Sequence, residues 1–422
     1  MLNNLLNIFS RNKKNTSNQI LNIQNTYPSE QLFLAVNDYS KNSEIRYVGG
    51  CVRKSILNEK IDDVDLSTNL DPIQLEDCLK KNNIKYLTTG KKFGTLTALV
   101  NGFKFEITSL RKDIITDGRH AKVEYTNNWK EDAERRDFTF NSIYANINGE
   151  IFDPFNGKNH LRSGKIFFIG DPDKRIKEDY LRILRYLRFF LSYSKKSHDK
   201  DLIRKLKLNL NGVSKLSKDR LLDELKKLIN AENLEKLSKD KICLELISLI
   251  FPELKNINIF SKLNSLKRQI VENSDFIFLI SLMVIDDTDN SDYFLYKFNI
   301  SKKDEKRIKK ISNFYKEKGG FKKFNEKDIN EIFYYDGKQA VLDILNFKII
   351  KSKKIDNSLI KLSKTYINKI KPIIPIGASE LMEKYKIPEG KQLGLKLKLI
   401  EELWIKNNFK ISDHQVEKIV KD

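Results

Sequence analysis

The hydrophobic and polar positions follow two different periods along the chain. Between residues 31 and 153, short apolar runs of strand-like composition are separated by glycine and turn residues and alternate with helical stretches. The predicted strands are Ile45–Val48, Leu96–Val100, Phe103–Ile107 and Ser142–Ile147. From Asp171 onward, apolar residues recur at three- and four-residue spacing with charged residues between them, which predicts helices. These helices include Asp179–Tyr193, Asp219–Ile229 and Ile242–Ile250.

The two patterns predict an α+β head, in which helices flank a mixed β-sheet, followed by an all-α neck, body and tail. A length of 422 residues agrees with about two to four domains. Turn signals at Gly377 and at Pro388-Glu389-Gly390 indicate that the tail begins near residue 375. The predicted segments are a basic N-terminal segment over 1–30, the head over 31–153, the neck over 154–235, the body over 236–374 and the tail over 375–422.

Composition narrows the class of partner. The chain has 78 Lys and Arg against 57 Asp and Glu, a net charge of +21, which predicts a polyanionic partner, either nucleic acid or an anionic membrane, without choosing between them. Its apolar runs are shorter than the roughly 18 to 20 residues that span a bilayer, so no membrane partner is expected. Three cysteines without metal-ligand spacing fit a reducing compartment, which predicts a cytoplasmic protein. The basic, Asn-rich stretch before Glu30 predicts a poorly ordered terminus, with an organellar import signal as the alternative.

A glycine pair and an acidic pair stand close together in the predicted head. Gly49 and Gly50 end an apolar run and precede Arg53, and Asp63 and Asp65 follow. Glycine lets a backbone approach a ligand closely and present N–H groups to phosphate oxygens. On a strand, carboxylates at i and i+2 point to one face, where a cation such as Mg²⁺ has to neutralise them. Either pair alone is commonly a turn or a solvated loop, but the combination indicates metal-dependent phosphoryl transfer.

Three other polar groups have a structural and a functional interpretation. Glu106 shares a strand face with Lys104 and Thr108, so it is either a salt-bridged strand residue or a third carboxylate of the site. By default, Arg136 and Asp137 are an ion pair at the start of a helix. The dipeptide at 198–199, His-Asp, lies in a Ser- and Lys-rich stretch and predicts a loop rather than a second metal site.

Asp179 and Arg182 are three residues apart on one predicted helix, which runs from Arg175 to Phe189 and makes them neighbours on one face. The structural interpretation is a surface salt bridge worth under about 1 kcal/mol. The functional one is base recognition: a carboxylate accepts from an exocyclic amino group and a guanidinium donates to a ring nitrogen. Cytosine and adenine offer that pattern, whereas uracil and guanine offer the reverse and would leave polar groups unpaired.

Three motifs together carry a resemblance to a known family. They are Gly49-Gly50-Cys51-Val52-Arg53 with Asp63-Val64-Asp65, Glu134-Arg135-Arg136-Asp137-Phe138-Thr139-Phe140-Asn141, and Glu178-Asp179-Tyr180-Leu181-Arg182. The chain resembles the class II tRNA nucleotidyltransferases and bacterial poly(A) polymerases of the DNA-polymerase-β-like superfamily. The resemblance is dense from Tyr47 to Phe190 and weaker toward the end. It departs from the family at Lys54, where the family has Asp.

The resemblance implies a role for each of these residues. Asp63 and Asp65 would hold Mg²⁺, with Glu106 beside them. The implied triphosphate contacts are Gly49, Gly50 and Arg53. Arg136 would contact phosphate or ribose with Asp137 orienting it, and Asn141 would contact the sugar. Asp179 and Arg182 would read the base while Glu178 braces Arg182, and Arg185 and Arg188 would contact triphosphate or RNA. The segment Arg111–His120 resembles the family's flexible loop, which is needed for the switch from C to A.

Within the family, the sequence favours template-independent addition of C, C and A to the 3′ end of tRNA, from CTP and ATP, by two-metal nucleotidyl transfer with pyrophosphate released. The tRNA acceptor arm would be the RNA partner. Thr88 and Thr89 precede Gly90-Lys91-Lys92-Phe93 where the poly(A) polymerase signature has aliphatic residues, and Gly94-Thr95-Leu96-Thr97 is more similar to the CCA-adding form. The alternatives are a poly(A) polymerase, an enzyme that adds only CC or only A, and a catalytically silent RNA-binding homologue.

Overall fold

The computed structural model describes residues 19–117, 120–317, 326–354 and 356–421. The chain divides into two compact units, Met1–Leu225 and Lys226–Asp422. This division lies ten residues before the predicted border between neck and body, and the finer predicted borders stay predictions.

The first unit contains a mixed sheet of seven strands in the order β3-β4-β5-β2-β1-β8-β9 and a separate hairpin of β6 and β7. In the seven-stranded sheet, β2 and β5 run parallel and the other neighbours run antiparallel. The strands are β1 (Ile45–Val48), β2 (Asp65–Thr68), β3 (Lys85–Leu87), β4 (Thr95–Val100), β5 (Phe103–Ser109), β6 (Arg111–Asp117), β7 (His120–Tyr125), β8 (Tyr144–Ala145) and β9 (Ile151–Phe152). The predicted mixed sheet is therefore confirmed.

The central strands form where buried apolar side chains alternate with outward-facing polar ones. In β5, Phe105 and Ile107 are buried while Lys104 and Glu106 face outward, as the period of two requires. The predicted strand Ser142–Ile147 was too long, because β8 covers two residues of it. The hydroxyl of Ser142 donates to a carbonyl of the preceding 3-10 turn, and Asn146 folds the chain back onto Glu150.

Helices flank this sheet. They are α1 (19–26), α2 (Glu30–Asn37), α3 (Gly50–Ile56), α4 (Pro72–Lys81), α5 (Trp129–Glu134) and α6 (Gly157–Ser163). Their boundaries follow local chemistry: Asp71 and Gln74 form a capping box at the start of α4, where Pro72 is the first helical residue.

Helices alone follow from residue 172 onward in the described part of this unit. They are α7 (Pro172–Glu178), α8 (Leu181–Tyr193), α9 (Lys200–Leu208) and α10 (Lys218–Leu228), with a 3-10 helix at Leu210–Lys215. The single helix predicted from Arg175 to Phe189 was wrong. It is broken at Asp179, whose backbone is extended with φ −153° and ψ 105°, so the helical pattern there spans two helices.

Helices joined by turns and loops are the regular secondary structure of the second unit's described residues. Its helices after α10 are α11 (Ala231–Lys239), α12 (Lys241–Ile250), α13 (Ser265–Glu272), α14 (Phe276–Val284), α15 (Asn290–Phe298), α16 (Lys302–Glu317), α17 (Glu326–Lys351), α18 (Asn357–Asn368), α19 (Ala378–Tyr385), α20 (Lys391–Lys406) and α21 (Asp413–Lys421). Gly337 interrupts α17 with φ 85°. Separate apolar clusters form around Phe333 and Leu345, and around Leu381 and Ile400. Within the described residues, no helix combines the length and apolar character that crossing a bilayer needs.

One close approach between backbones fixes the part of the head that carries Asn141. A Cβ built at Gly157, the first residue of α6, would lie 2.1 Å from the carbonyl oxygen of Thr139 and 2.8 Å from Cα of Phe140. Only glycine therefore allows α6 to pack against the 3-10 turn Thr139–Asn141.

We predict that Gly157→Ala lowers the free energy of unfolding by roughly 3 kcal/mol, because the added methyl group meets rigid backbone. Denaturant unfolding measures the change. The control is Gly394→Ala in α20, where a Cβ meets no atom within 4 Å and the substitution should be neutral or slightly stabilising. Equal stability of the Gly157→Ala protein and the parent would contradict the packing described.

Candidate active site

The acidic cluster lies where β2 meets β5. Asp65 is the first residue of β2 and stands opposite Glu106 in the parallel register. Asp63 was expected on the same strand face, and this was wrong: β2 begins at Asp65, so Asp63 belongs to the preceding loop. Burial, followed by the charges of Asp63 and Glu106, raises the pKa of Asp65 to about 6. This concentration of negative charge is the kind of donor set that a divalent cation stabilises.

Two contacts hold the loop that carries Asp63. The hydroxyl of Tyr27 donates to the carbonyl oxygen of Ile61 at 2.8 Å. Lys54, where the resemblance leads us to expect Asp, pairs its Nζ with Oδ2 of Asp62 at 2.5 Å. This ion pair lies at the edge of the acidic loop, one residue before Asp63.

The glycine pair lies beside a guanidinium group. Gly49 has φ 71°, in the left-handed region that favours glycine, and Gly50 begins α3. A Cβ at Gly49 would lie 3.7 Å from Nη1 of Arg136 and 3.8 Å from the carbonyl oxygen of Asn141. The missing side chain therefore leaves space between the backbone of Gly49 and Arg136.

Arg53 is buried, with 6% of its surface exposed, and its contacts are internal. Its Nη1 donates to Oδ1 of Asn141, and its Nε donates to the hydroxyl of Tyr193 at 3.4 Å. The guanidinium also stacks on Phe189 at 4.9 Å from the ring centroid. These contacts bring two predicted nucleotide-binding residues, Arg53 and Asn141, together.

Asp137 was expected to orient Arg136, and this was wrong. Arg136 donates to Oδ2 of Asp132 at 3.1 Å and to the hydroxyl of Tyr144 at 3.1 Å. Asp137 accepts from Nε of Arg185 at 2.6 Å and from Nδ2 of Asn141 at 2.9 Å. Side chains of consecutive residues point in different directions as the chain leaves α5, so each finds its own partner.

The sequence interpretation missed Asp132. This carboxylate is fully buried and accepts from Arg135, Arg136 and the hydroxyl of Tyr144. Burial alone would raise the pKa of Asp132, but the charges of Arg135 and Arg136 and the Tyr144 hydrogen bond hold it well below its usual range. Residue spacing could have predicted these ion pairs, because on a helix Asp132 lies three and four residues before the two arginines.

Asp179 and Arg182 have different partners. Arg182 donates from Nη1 to Oε2 of Glu178 at 2.5 Å, so the expected bracing by Glu178 is confirmed. Oδ2 of Asp179 accepts from Nη2 of Arg220 at 2.7 Å, and Oδ1 accepts from the backbone N–H of Leu181 at 3.1 Å. The expectation that the two lie on one face of one helix was wrong, because Asp179 precedes α8.

Two further arginines of α8 follow Arg182 along the chain, and each has a carboxylate partner. Arg185 bonds to Asp137, as above, and Arg188 donates from Nε to Oε1 of Glu224 at 2.5 Å. Glu224 is 98% buried and was also missed by the sequence interpretation. It lies 36 residues after Arg188, too far along the chain for a spacing argument.

The structure describes two further segments for which the sequence predicted a loop. The strands β6 and β7 pair as an antiparallel hairpin over the region expected to be the flexible loop, whose residues 118 and 119 lie outside the described residues. The dipeptide at 198–199 precedes α9, as expected for a loop. Asp199 accepts from the backbone N–H of Leu202 at 2.8 Å, and the ring of His198 stacks on Phe190.

Comparison with known proteins gives consistent relatives. Residues 45–167 match the family described as the poly(A) polymerase head domain. The mitochondrial CCA tRNA nucleotidyltransferase 1 of Homo sapiens is 42% identical over 192 residues, which cover 45% of this chain and 44% of the human protein. The chain thus matches less than half the length of that relative. The CCA-adding enzyme of Staphylococcus haemolyticus is 29% identical over 337 residues, which cover 78% of each chain.

Solved structures agree with these relatives on the fold. The CCA-adding enzyme of Bacillus stearothermophilus, solved in complex with CTP, superposes with a TM-score of 0.67 and 19% identity, covering 93% of this chain and 97% of the other. The Thermotoga maritima enzyme complexed with tRNA gives a TM-score of 0.58 at 18% identity, covering 96% and 98%. At this identity the likeness establishes the architecture and leaves the chemistry to the site residues.

We predict that Asp65→Asn stabilises the metal-free protein at pH 8 by up to roughly 3 kcal/mol, because it removes a buried charge that the fold disfavours. The carboxyl has a pKa of about 6 in the folded protein against an ordinary value of 3.8, so the penalty is fully present above pH 6. The parent protein recovers this stability as the pH falls from 6 toward 4.

Thermal unfolding in a chelator at several pH values measures the effect. Asp62→Asn is the matched control, since its carboxylate is exposed and paired with Lys54. If Asp65→Asn destabilised the protein equally at pH 8 and pH 5, the electrostatic account of this cluster would be wrong.

Proposed function

We propose that this chain, which belongs to the family of class II tRNA nucleotidyltransferases and bacterial poly(A) polymerases, adds C, C and A to the 3′ end of tRNA without a nucleic-acid template. CTP and ATP would be the substrates, and pyrophosphate would leave. The observation that carries the proposal is the placement of the acidic cluster and the Asp179/Arg182 region in one compact unit. The names of the relatives, CCA tRNA nucleotidyltransferase and CCA-adding enzyme, support it.

The family depends on a divalent metal, and we propose Mg²⁺ held by Asp63 and Asp65. The raised pKa of Asp65 supports this, because a cation relieves the repulsion among Asp63, Asp65 and Glu106. Bound there, the metal would lower the pKa of the attacking 3′-hydroxyl and stabilise the developing charge on phosphate. Glu106 lies opposite Asp65 and completes the negative surface that orients the cation.

The protein's own residues would position the triphosphate. The space beside Gly49 lets phosphate oxygens approach its backbone while facing Nη1 of Arg136. Asp132 and Tyr144 hold Arg136 in place, so its guanidinium is ordered before the nucleotide arrives. Arg53 and Asn141, which bond to each other, supply the neighbouring polar surface for the triphosphate and the sugar.

Asp179 and Arg182 would select the base. Two oxygens of Asp179 offer about four acceptor positions, of which Arg220 and the backbone of Leu181 take two. The remaining positions can accept from the amino group of cytosine or adenine. Arg182, braced by Glu178, can donate to the adjacent ring nitrogen. Arg185 and Arg188 would contact the triphosphate or the RNA backbone from the next turns of α8.

The RNA partner and the place of action follow from the same family. We propose tRNA, through its 3′ end and acceptor arm, as the RNA partner, and the net charge of +21 favours such a polyanion. We propose the cytoplasm as the place of action, and an organelle is the alternative because the human relative is named mitochondrial. A poly(A) polymerase is the second candidate, because the matching head-domain family carries that description.

We predict that the purified protein extends a tRNA lacking its CCA end by C, C and A when CTP and ATP are present. Sequencing of the added tail is the measurement. Asp63→Ala should lower incorporation by roughly two orders of magnitude or more, since it removes a metal ligand. Incorporation of ATP alone as a long tail would instead support the poly(A) polymerase, and undiminished activity of Asp63→Ala would refute the mechanism.

We predict that Asp179→Ala and Arg182→Ala each loosen discrimination against UTP and GTP by roughly 10- to 100-fold, because each removes one half of the base-reading pattern. Single-nucleotide addition with each of the four triphosphates measures the ratio of kcat/KM values. Asp201→Ala serves as the control, since that carboxylate in α9 is exposed and pairs only loosely with the exposed Arg204. A base preference unchanged in both variants would exclude recognition by this pair.

A further inference from the structure

One of the two proposed metal ligands lies on a strand and the other on a loop. Asp65 begins β2, which pairs with β1 on one side and β5 on the other, so the sheet fixes its backbone. Asp63 is exposed and belongs to the loop between α3 and β2. Mg²⁺ requires nearly octahedral geometry with oxygen ligands at about 2.0 to 2.1 Å, so the placement of each ligand limits affinity. The contacts that hold this loop therefore bear on how well the two carboxylates bind a cation.

Two side chains from outside the loop hold the two residues before Asp63. Nζ of Lys54, in α3, donates to Oδ2 of Asp62 at 2.5 Å. The hydroxyl of Tyr27 donates to the carbonyl oxygen of Ile61 at 2.8 Å. The side chain of Lys54 is 22% exposed and that of Asp62 is 64% exposed, so the cationic end of the ion pair is mostly withdrawn from water. Such a pair holds one geometry better than a fully exposed one does.

Each of these side chains is itself attached to regular structure. The ring of Tyr27 packs edge-on against Phe103 in β5, with the ring centroids 5.4 Å apart, and β5 is the strand that runs beside β2. The backbone carbonyl of Lys54 accepts from the N–H of Glu59 at 2.9 Å, where the chain leaves α3. The loop is thus tied to α3 through Lys54 and to the sheet through Tyr27.

We infer that Lys54 and Tyr27 are positioning residues for divalent-metal binding, an inference that rests on the proposed function. They restrain the residues before Asp63 and thereby keep its carboxylate in place to share a cation with Asp65. When either contact is lost, the loop samples more conformations, and the entropy of ordering it opposes metal binding. The affinity for the metal should therefore change, and the preference among nucleotides should not.

The charges of the ion pair allow positioning to be separated from simple electrostatics. Lys54→Gln removes a positive charge near the acidic cluster, so electrostatics alone would strengthen cation binding. Asp62→Asn removes a negative charge, so electrostatics alone would weaken it. Both substitutions break the same ion pair, and positioning therefore predicts weaker metal binding in both variants.

The test measures Mn²⁺ binding to the full chain, without tRNA or nucleotide, as the rise of the unfolding temperature with metal concentration. The Asp65→Asn protein serves as the blank for binding elsewhere. We expect Lys54→Gln, Asp62→Asn and Tyr27→Phe each to weaken metal binding by roughly fivefold. The double variant Lys54→Gln with Asp62→Asn leaves the net charge unchanged and should be about as weak as either single variant, because both break one pair. Lys54→Arg keeps the ion pair and should bind the metal as the parent does.

A matched control and a second measurement accompany this test. Lys81→Gln breaks an exposed ion pair with Asp77 in α4 and should leave metal binding unchanged. The Mg²⁺ concentration that gives half the maximal rate of CTP addition to tRNA should rise in the Lys54→Gln and Tyr27→Phe proteins. The ratios of kcat/KM among the four nucleotides should stay those of the parent. Thermal unfolding without metal shows which variants are folded.

The outcomes for this inference differ from those for the proposed function. Tighter metal binding by Lys54→Gln, or the parent's affinity in the charge-neutral double variant, would overturn the inference while leaving the proposed function in place. The same holds if Mn²⁺ stabilises the parent no more than it stabilises the Asp65→Asn protein. A parent protein that adds neither CTP nor ATP to tRNA would overturn the proposed function itself.

Discussion

The buried carboxylate of Asp137 joins the two halves of the site. It accepts from Arg185 in α8 and from Asn141 in the head, and Asn141 in turn accepts from Arg53 beside the glycine pair. A continuous path of polar contacts thus runs from the helix that follows Asp179 to the glycines proposed to bind phosphate. Asp137, Asn141 and Arg53 are buried and Arg185 is partly buried, so loss of one member would leave a polar group of its neighbour without that contact.

Three carboxylates of this unit, Asp137, Asp132 and Asp65, fall into two electrostatic classes. Arg185 and its neighbours hold the pKa of Asp137 well below the usual range despite burial, and Asp132 is held down by Arg135 and Arg136 in the same way. These groups are structural anchors for cations. At Asp65 the balance is opposite. Burial and the charges of Asp63 and Glu106 raise its pKa by more than the nearby arginines lower it. Such a carboxylate is destabilising by itself, which supports the cation site proposed there.

Much of the fold and part of the site could be predicted from the order of residues. Strand periodicity gave β1 and most of β4 and β5, and helical periodicity gave the all-helical remainder of the described chain. The end of β8 and the break before α8 escaped, because both depend on side-chain contacts rather than on hydrophobic period. At β8 these contacts are the turn hydrogen bonds of Ser142 and Asn146. Before α8 the contact is the packing of the Tyr180 ring against Gly212.

The sequence by itself determined which chemical groups are present and their local spacing: the glycine pair, the acidic pair, the Arg-rich motif and the Asp179/Arg182 pair. Only the tertiary structure decided the partners. Asp137 pairs across 48 residues with Arg185, and Asp179 pairs across 41 residues with Arg220. A neighbour in sequence is seldom the partner when the backbone changes direction between two residues, because adjacent side chains then point apart. The path of the folded chain therefore assigns these two charges their distant counter-ions, whereas helical spacing already predicts a local pair such as Arg182 with Glu178.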